Sequence, residues 1–287
     1  LTDSVLKTAQ GLGRREERLG AIRALATINS SELRVEEALI KIVSDERDMT
    51  LRAAAAESLG ELPKIGESAF LALADTIQII DGELRSASAG SLGRATVPPG
   101  AIISQLTECL RDGYSKVRIR ALESCRRLGG AAAPIFPQIL EMESDREIDV
   151  KMAAAITSLE IAVPLGKFHE VLAQWLKSNE PRVRASVLKQ LNQFSHIALE
   201  MNEISHLVND ADTEVRRATV VLLKNMGLKA TPHLMMALND DNDNVHVTAL
   251  AGLRLHKNCV NYASKEIEKV LREGNRRAQE SALALIR

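Results

Sequence analysis

The sequence predicts an all-α protein, a right-handed α-solenoid of about nine helical hairpins. Of the 287 residues, 45% are hydrophobic but only 2% are aromatic, so small and aliphatic side chains must supply the core contacts. A motif of an apolar residue, a basic residue and an alanine- and leucine-rich helix returns at a nearly constant interval. An apolar helical stretch and a short acidic turn precede each copy, which makes each repeat a helical hairpin.

The basic position of the motif stands near the start of the second helix of each hairpin. Val117-Arg118 leads to Leu128-Gly129 in the clearest copy. Along the chain, the basic position is occupied by Arg18, Arg52, Arg85, Arg118, Lys151, Arg184, Arg216, His246 and Arg276. Successive members lie 30 to 34 residues apart. A regular interval of this length is typical of stacked helical repeats.

The motif divides the chain into a single domain of consecutive repeats. Their boundaries fall roughly at 1–30, 31–63, 64–97, 98–131, 132–164, 165–197, 198–228, 229–257 and 258–287. Glycines at the ends of second helices, Gly60, Gly93, Gly129 and Gly227, are expected to close those helices in the left-handed conformation. The last helix has no polar outer face, so we expect a part of a larger protein or an end-to-end association.

The repeated pattern, an Asp-containing turn followed by Val-Arg-x-x-Ala-x-x-Ala-Leu-Gly, resembles HEAT repeats of the armadillo-like superfamily. It is particularly similar to the short HEAT-like repeats of phycobilisome lyase subunits, and the resemblance extends over about the whole chain. Tetratricopeptide repeats have a similar period but need recurring aromatic residues that this sequence lacks. The resemblance implies a helical solenoid that binds another protein.

The basic position lies about 100° from the buried stripe of its helix, near the seam with the next repeat. An arginine there is placed to bridge an Asp or Asn of its own or the adjacent turn, while its stem covers apolar surface. We therefore interpret this row as a structural ladder. Lys151 and His246 lack the fork geometry of a guanidinium, so both are expected to weaken their seams.

Composition and motifs disfavour most other function classes. The formal net charge is −1, which gives no basic excess for nucleic acid. The apolar runs are too short to span a membrane. The three cysteines, Cys109, Cys125 and Cys259, form no close pair and read as reduced, buried thiols. We therefore expect no catalytic residues, no metal and no cofactor, and a cytoplasmic location.

Two enzyme families with HEAT-like folds offer alternatives to this interpretation. His169-Glu170 resembles the ligand pairs of the deoxyhypusine hydroxylases, but one pair does not build a diiron site. His196 with Glu200 shows helical spacing, which is just as typical of a solvated pair. Trp175 is the only tryptophan, and its register predicts core packing, unlike the exposed aromatic residues of the alkylpurine DNA glycosylases.

The inner face of the solenoid supplies the candidate binding surface. Positions +2, +6 and +9 from the first apolar residue of each second helix fall opposite the buried stripe. The candidate residues are Ile119, Glu123, Arg126, Met152, Ile156, Lys189, Arg217, Lys224 and Arg254. Ile119, Met152 and Ile156 are apolar where solvent is expected, which indicates a peptide groove. Alternatively, the fifth repeat is shifted by one residue, with Leu159 rather than Ser158 in the core, which turns Met152 and Ile156 inward.

The other residues of these rows are less informative. Four basic residues form a strip that contacts an acidic partner or is only a solvated face: Arg217, Lys224, Arg254 and Arg277. Ser86, Gly90 and Ala185 belong to the same rows and are expected at the surface.

The function predicted from the sequence is a non-catalytic scaffold that binds a partner protein or peptide on its inner face. One alternative is a lyase-type subunit or chaperone that holds a chromophore or a protein substrate. A second alternative is a HEAT-like DNA-lesion binder or glycosylase.

Overall fold

The computed structural model describes residues 2–11, 13–28, 33–194, 197–255 and 264–286. Within these ranges every regular element is a helix, apart from one isolated bridge between Ile65 and Ala95. The predicted all-α repeat fold is therefore confirmed. His196, His256 and Cys259 lie outside the described residues.

The chain forms two compact blocks, an N-terminal block at Leu1–Val171 and a C-terminal block at Leu172–Arg287. The helices of the N-terminal block are α1 (Thr2–Gln10), α2 (Arg15–Ile28), α3 (Leu33–Asp45), α4 (Met49–Glu61), α5 (Glu67–Thr76), α6 (Gly82–Ser91), α7 (Pro99–Cys109), α8 (Ser115–Leu128), α9 (Phe136–Glu141) and α10 (Ile148–Ala162). Even-numbered helices are the second helices of their hairpins. They pack in series, α2 on α4, α4 on α6, α6 on α8 and α8 on α10.

The C-terminal block repeats the same arrangement. After α11 (Phe168–Trp175), within which the block boundary falls, its helices are α12 (Pro181–Gln190), α13 (Met201–Ile204), α14 (Thr213–Asn225), α15 (Thr231–Ala237), α16 (Asp243–Leu255), α17 (Ser264–Glu273) and α18 (Arg276–Ile286). The second helices again pack in series, α12 on α14, α14 on α16 and α16 on α18. The apolar stretch from Leu199 to Val208 is not one helix, because α13 gives way to a 3-10 turn at Ser205–Asn209.

Aspartates at the acidic turns begin several second helices. Asp48 accepts hydrogen bonds from the backbone N–H groups of Thr50 and Leu51 at 2.8 and 3.3 Å. Asp81 and Asp212 cap α6 and α14 in the same way. Such caps satisfy amide groups that have no partner inside the helix and fix the residue at which each helix begins.

Small residues bring the second helices of the N-terminal block close together. Gly60 and Gly93 were expected to be left-handed caps, but only Gly129, Gly166 and Gly227 have positive φ among the described glycines. A Cβ on Gly60 would lie 3.1 Å from Ser91 Cα. A Cβ on Gly93 would lie 2.9 Å from Ser124 Cα. Both glycines are thus required by the close approach of the next helix.

The predicted core residues lie where the sequence indicated. Trp175 is fully buried, which confirms its assignment to the core rather than to an exposed ring face. Cys109 and Cys125 are free and buried, and burial raises the pKa of each thiol to about 12. Thiols held in the neutral form are inert packing groups.

Candidate functional site

Arg118 joins two consecutive acidic turns of the N-terminal block. Its Nε and Nη2 donate to the two carboxylate oxygens of Asp145, in the following repeat, at 2.8 and 2.7 Å. Its Nη1 donates to the carbonyls of Asp112 and Gly113 in its own turn, at 2.8 and 3.4 Å. The side chains of Arg118 and Asp145 are only 7% and 11% exposed. We call such a bridge between two turns a joint.

The joint at Arg85 has the same geometry one repeat earlier. Nε and Nη2 of Arg85 donate to Asp112 at 2.7 and 3.0 Å, and Nη1 donates to the carbonyls of Ile79 and Ile80 at 2.9 and 2.8 Å. Burial raises the pKa of the Asp112 carboxyl. The Arg85 guanidinium and the Tyr114 N–H outweigh that effect, so the pKa falls below its ordinary value.

Two joints of the C-terminal block follow the same plan. Arg184 donates to the Asp210 carboxylate at 2.9 and 2.7 Å and to the Ser178 carbonyl at 2.7 Å. Arg216 donates to the Asp240 carboxylate at 2.6 and 3.1 Å and to the Asp210 carbonyl at 3.1 Å. In all four arginine joints, the carboxylate belongs to the next turn and the carbonyls to the arginine's own turn. A fork of this kind fixes both turns with charge-assisted hydrogen bonds.

The first two basic positions depart from this plan. Arg18 pairs with the carboxylate of Glu46 and donates to the Ala9 carbonyl at 3.2 Å. Arg52 donates to the Val43 carbonyl at 2.7 Å. The residue of the next turn that corresponds to Asp112 is Ile79, which offers no carboxylate.

The last two basic positions also differ. His246 is buried, with Nδ1 2.8 Å from the Leu238 carbonyl and Nε2 3.0 Å from Ser281 Oγ on α18. Arg276 is 93% exposed and pairs with Glu280 of its own helix at 3.0 Å. Lys151 occupies the same register in α10 and is partly buried. The weaker seams expected at Lys151 and His246 stay a prediction.

The predicted inner face of the N-terminal block includes two rows of candidate residues, on α8 and α10. Ile119 and Arg126 lie along one face of α8, and Met152 and Ile156 along one face of α10. The Arg126 guanidinium lies 3.7 Å from the carboxylate of Glu160, which links the two rows at their ends. Ile119, Met152 and Ile156, the apolar patch, are all partly buried, as is Glu123 on α8.

The register of the fifth repeat matches neither alternative fully. Ser158 and Leu159 are both completely buried. Met152 and Ile156 nevertheless keep part of their surface accessible. The buried face of α10 is therefore broad enough to include both Ser158 and Leu159. Met152 and Ile156 lie at the edge of this buried face.

Three residues expected on the inner surface are buried. Ser86 and Ala185 are 1% and 4% exposed. Gly90 is covered by Arg120, whose Nε would lie 2.8 Å from a Cβ at this position. Because these side chains are small, the neighbouring second helix approaches closely enough to exclude water.

The predicted basic strip of the C-terminal block is partly neutralised. Arg217 of the strip binds Glu214 at 2.8 Å, and Arg277 pairs with Asp243. Lys189, another candidate residue, also binds Glu214, at 3.2 Å. Arg217 and then Lys189 lower the pKa of Glu214 to about 2. Lys224 is partly buried and Arg254 is exposed. The strip thus presents less free positive charge than its sequence suggests.

Three arginines of the N-terminal block were not among the sequence-predicted site residues. Arg94 follows α6 and donates to the Gly60 carbonyl at 3.2 Å. Arg127 donates to the Gly90 carbonyl, and Arg120 pairs with Glu123 at 2.6 Å. Arg120 and Arg127 each directly follow a residue of the predicted inner-face rows, Ile119 and Arg126. The density of arginines between Arg118 and Arg127 was the available signal for these two.

The described ranges contain no group of three His, Cys, Asp or Glu side chains that could hold a metal ion. Within the part of the chain that the structure describes, no helix combines the length and apolar character needed to cross a bilayer.

Comparison with known families agrees with the repeat geometry. Residues 169–254 match the family model for HEAT repeats. Over these residues the chain is similar to HEAT repeats. The matched segment includes the joints at Arg184 and Arg216 and the imidazole of His246. No curated protein sequence matches the chain.

Solved structures with similar folds extend the comparison to nearly the whole chain. YibA of E. coli is 18% identical with a TM-score of 0.54, covering 96% of this chain and 97% of its own. Kap95p, from a complex with RanGDP, is 14% identical with a TM-score of 0.55, covering 100% of this chain and 45% of its own. The CpcE–CpcF complex of phycocyanin lyase from Nostoc sp. PCC7120 is 19% identical with a TM-score of 0.50, covering 89% and 94%. At these identities the likeness concerns the fold alone.

Proposed function

We propose that this protein is a non-catalytic scaffold that binds a partner protein or peptide on the inner face of its N-terminal block. The observation that carries the proposal is the apolar patch of Ile119, Met152 and Ile156, which keeps accessible surface on two adjacent helices beside the Arg126–Glu160 pair. Apolar side chains framed by charges are typical of peptide-binding grooves.

The fold supports this role. Stacked hairpins present long rows of side chains on one surface, which suits recognition of an extended partner. Two proteins of similar fold take part in protein complexes, since Kap95p binds RanGDP and CpcE forms a complex with CpcF. A cytoplasmic location and a capacity for end-to-end self-association accompany the proposal as predictions.

The test is a quantitative pull-down from native lysate with wild-type protein and the Ile119→Asp variant. A charge in the apolar patch should abolish capture of specific partners. The matched control is Leu71→Asp. Leu71 is 54% exposed on α5, the first helix of its hairpin, so this variant places the same charge on a different surface. Circular dichroism checks that both variants are folded.

Unchanged capture by Ile119→Asp would contradict the proposal, as would equal losses in both variants. The same preparations separate the alternative functions. A bound chromophore gives purified protein a visible absorption band, and a DNA-lesion binder shows an affinity for DNA that falls steeply with salt.

A further inference from the structure

Four arginines of the N-terminal block gather around the C-terminal end of α6 and along α8. The arginine cluster consists of Arg94, Arg120, Arg126 and Arg127. Arg94 and Arg127 donate to carbonyls near the ends of the preceding second helices, at Gly60 and Gly90. These contacts fix the two guanidinium groups in place without neutralising them, because a carbonyl carries no net charge.

The carboxylates around the arginine cluster do not balance it. Arg120 pairs with Glu123 at 2.6 Å, and Arg126 pairs with Glu160 at the longer distance of 3.7 Å. Among the described residues, Glu123 and Glu160 are the carboxylates that pair with the four guanidinium groups. Arg126 is 45% exposed and Arg127 also reaches solvent, so a partner has access to the excess charge.

The lowered pKa of Arg127 reflects desolvation and the positive electrostatic potential around its guanidinium. Partial desolvation lowers the pKa of its guanidinium, and Arg94 lowers it further. Arg120 and Arg126 act in the same direction, against Glu123 alone. A cation is therefore held beside like charges, an arrangement that an incoming anion would relieve.

The arginine cluster is continuous with the apolar patch. Ile119, Glu123 and Arg126 follow one another along the same face of α8, and Ile156 precedes Glu160 by one turn on α10. A ligand that covers the patch would therefore reach the guanidinium groups within about two helical turns. Glutamates lie between the arginines, and apolar residues adjoin them, which favours a peptide ligand. A nucleic-acid ligand would call for a continuous basic stripe with aromatic faces.

We infer that the partner segment is an acidic peptide, with apolar side chains that cover Ile119, Met152 and Ile156 and carboxylates that bind Arg126 and Arg127. This assignment rests on the proposed protein-binding function and specifies the chemistry of its partner. Guanidinium groups recognise carboxylates through paired hydrogen bonds, so the cluster sets both the orientation and the charge preference of the bound segment.

The assignment is tested by fluorescence anisotropy with three labelled peptides of equal length. One alternates aspartate with leucine, the second replaces each aspartate by lysine, and the third replaces each leucine by serine. The aspartate–leucine peptide should bind most tightly, with an affinity that falls as salt increases. Arg126→Gln combined with Arg127→Gln should weaken that binding roughly tenfold.

The matched control is the pair Lys64→Gln and Arg111→Gln, which removes the same charge from exposed positions away from the patch. It should leave peptide binding unchanged. The assignment would be overturned if the lysine peptide bound equally well, or if both double variants lost binding equally. It would also be overturned if no binding were detected at millimolar peptide, or if a single-stranded oligonucleotide bound more strongly. If Ile119→Asp still abolished lysate capture in that case, the protein-binding role would stand and only the acidic chemistry would be wrong.

Discussion

The joints at Arg118 and His246 stand at the same position of the repeat but use different chemistry. Arg118 bridges a carboxylate of the next turn and two carbonyls of its own turn, and the side chains of Arg118 and Asp145 are nearly excluded from water. His246 bridges one carbonyl and the hydroxyl of Ser281, with no carboxylate. One joint therefore depends on a buried ion pair and the other on hydrogen bonds of an imidazole with a carbonyl and a hydroxyl.

The two kinds of joint differ in how strongly the contact between neighbouring repeats depends on a single side chain. A buried guanidinium and carboxylate are costly to desolvate, and each becomes a large liability when the other is removed. Removal of the His246 imidazole leaves only a carbonyl and a hydroxyl without that hydrogen-bond partner. The arginine joints should therefore be the more sensitive points of the solenoid, although both kinds hold neighbouring repeats together.

The largest effect is expected for Arg118→Ala. It strands the Asp145 carboxylate in a poorly solvated turn, so the free energy of unfolding should fall by about 3–5 kcal/mol. Urea denaturation followed by circular dichroism measures the change. The matched control is Arg276→Ala at the same repeat position, whose side chain is 93% exposed and which should change stability by less than about 0.5 kcal/mol. Similar losses in the two variants would show that burial does not set the strength of a joint.

A smaller effect is expected for His246→Leu. The Leu238 carbonyl and the Ser281 hydroxyl lose their hydrogen bonds, which should cost about 1–2 kcal/mol in the same urea experiment. His206→Leu, at an exposed position of the same block, serves as the control and should be close to neutral. A loss for His246→Leu that exceeded the loss for Arg118→Ala would reverse the comparison between the two joints.

The smallest effect is a pH dependence of the arginine joints. The pKa of Asp112 is lowered in the folded protein, so its contribution to stability is complete above the ordinary Asp pKa of about 3.9 and is lost as pH falls through the folded-state pKa. The difference in unfolding free energy between wild type and Asp112→Asn should therefore narrow when urea denaturation is repeated below about pH 4.

An Arg85→Gln background tests the cause of this pH dependence. Without the guanidinium, Asp112→Asn should show a difference that changes less with pH, because Arg85 supplies the main opposition to burial. A difference that stayed constant with pH in the wild-type background would contradict the role assigned to the ion pair.

The sequence predicted the repeat and the place of its basic residue, because a 30–34-residue interval and an apolar stripe constrain helix packing directly. It left open whether Arg118 would use its own turn or the adjacent one. The structure shows both, with carbonyls from one and a carboxylate from the other. Such a choice depends on the distance between turns, which sequence spacing does not encode.

The inner surface was harder to predict. Ser86 and Gly90 are buried because small side chains allow a closer helix approach than the periodicity assumes. Arg94 and Arg127 were missed since they fall outside the rows opposite the buried stripe, at helix ends where side chains turn toward carbonyls. Periodicity assigns faces, whereas helix separation decides which residues remain accessible on them.

The aspartates of the acidic turns serve two neighbours at once. Asp145 receives Arg118 from the preceding repeat and also accepts the backbone N–H of Glu147 at 2.9 Å. Asp112 does the same with Arg85 and the N–H of Tyr114. Each such repeat therefore offers an aspartate to the arginine of the preceding repeat and an arginine to the aspartate of the following repeat. Excision or duplication of one whole period would present Arg85 with an equivalent acceptor, which gives the architecture a ready route to lengthen or shorten during evolution.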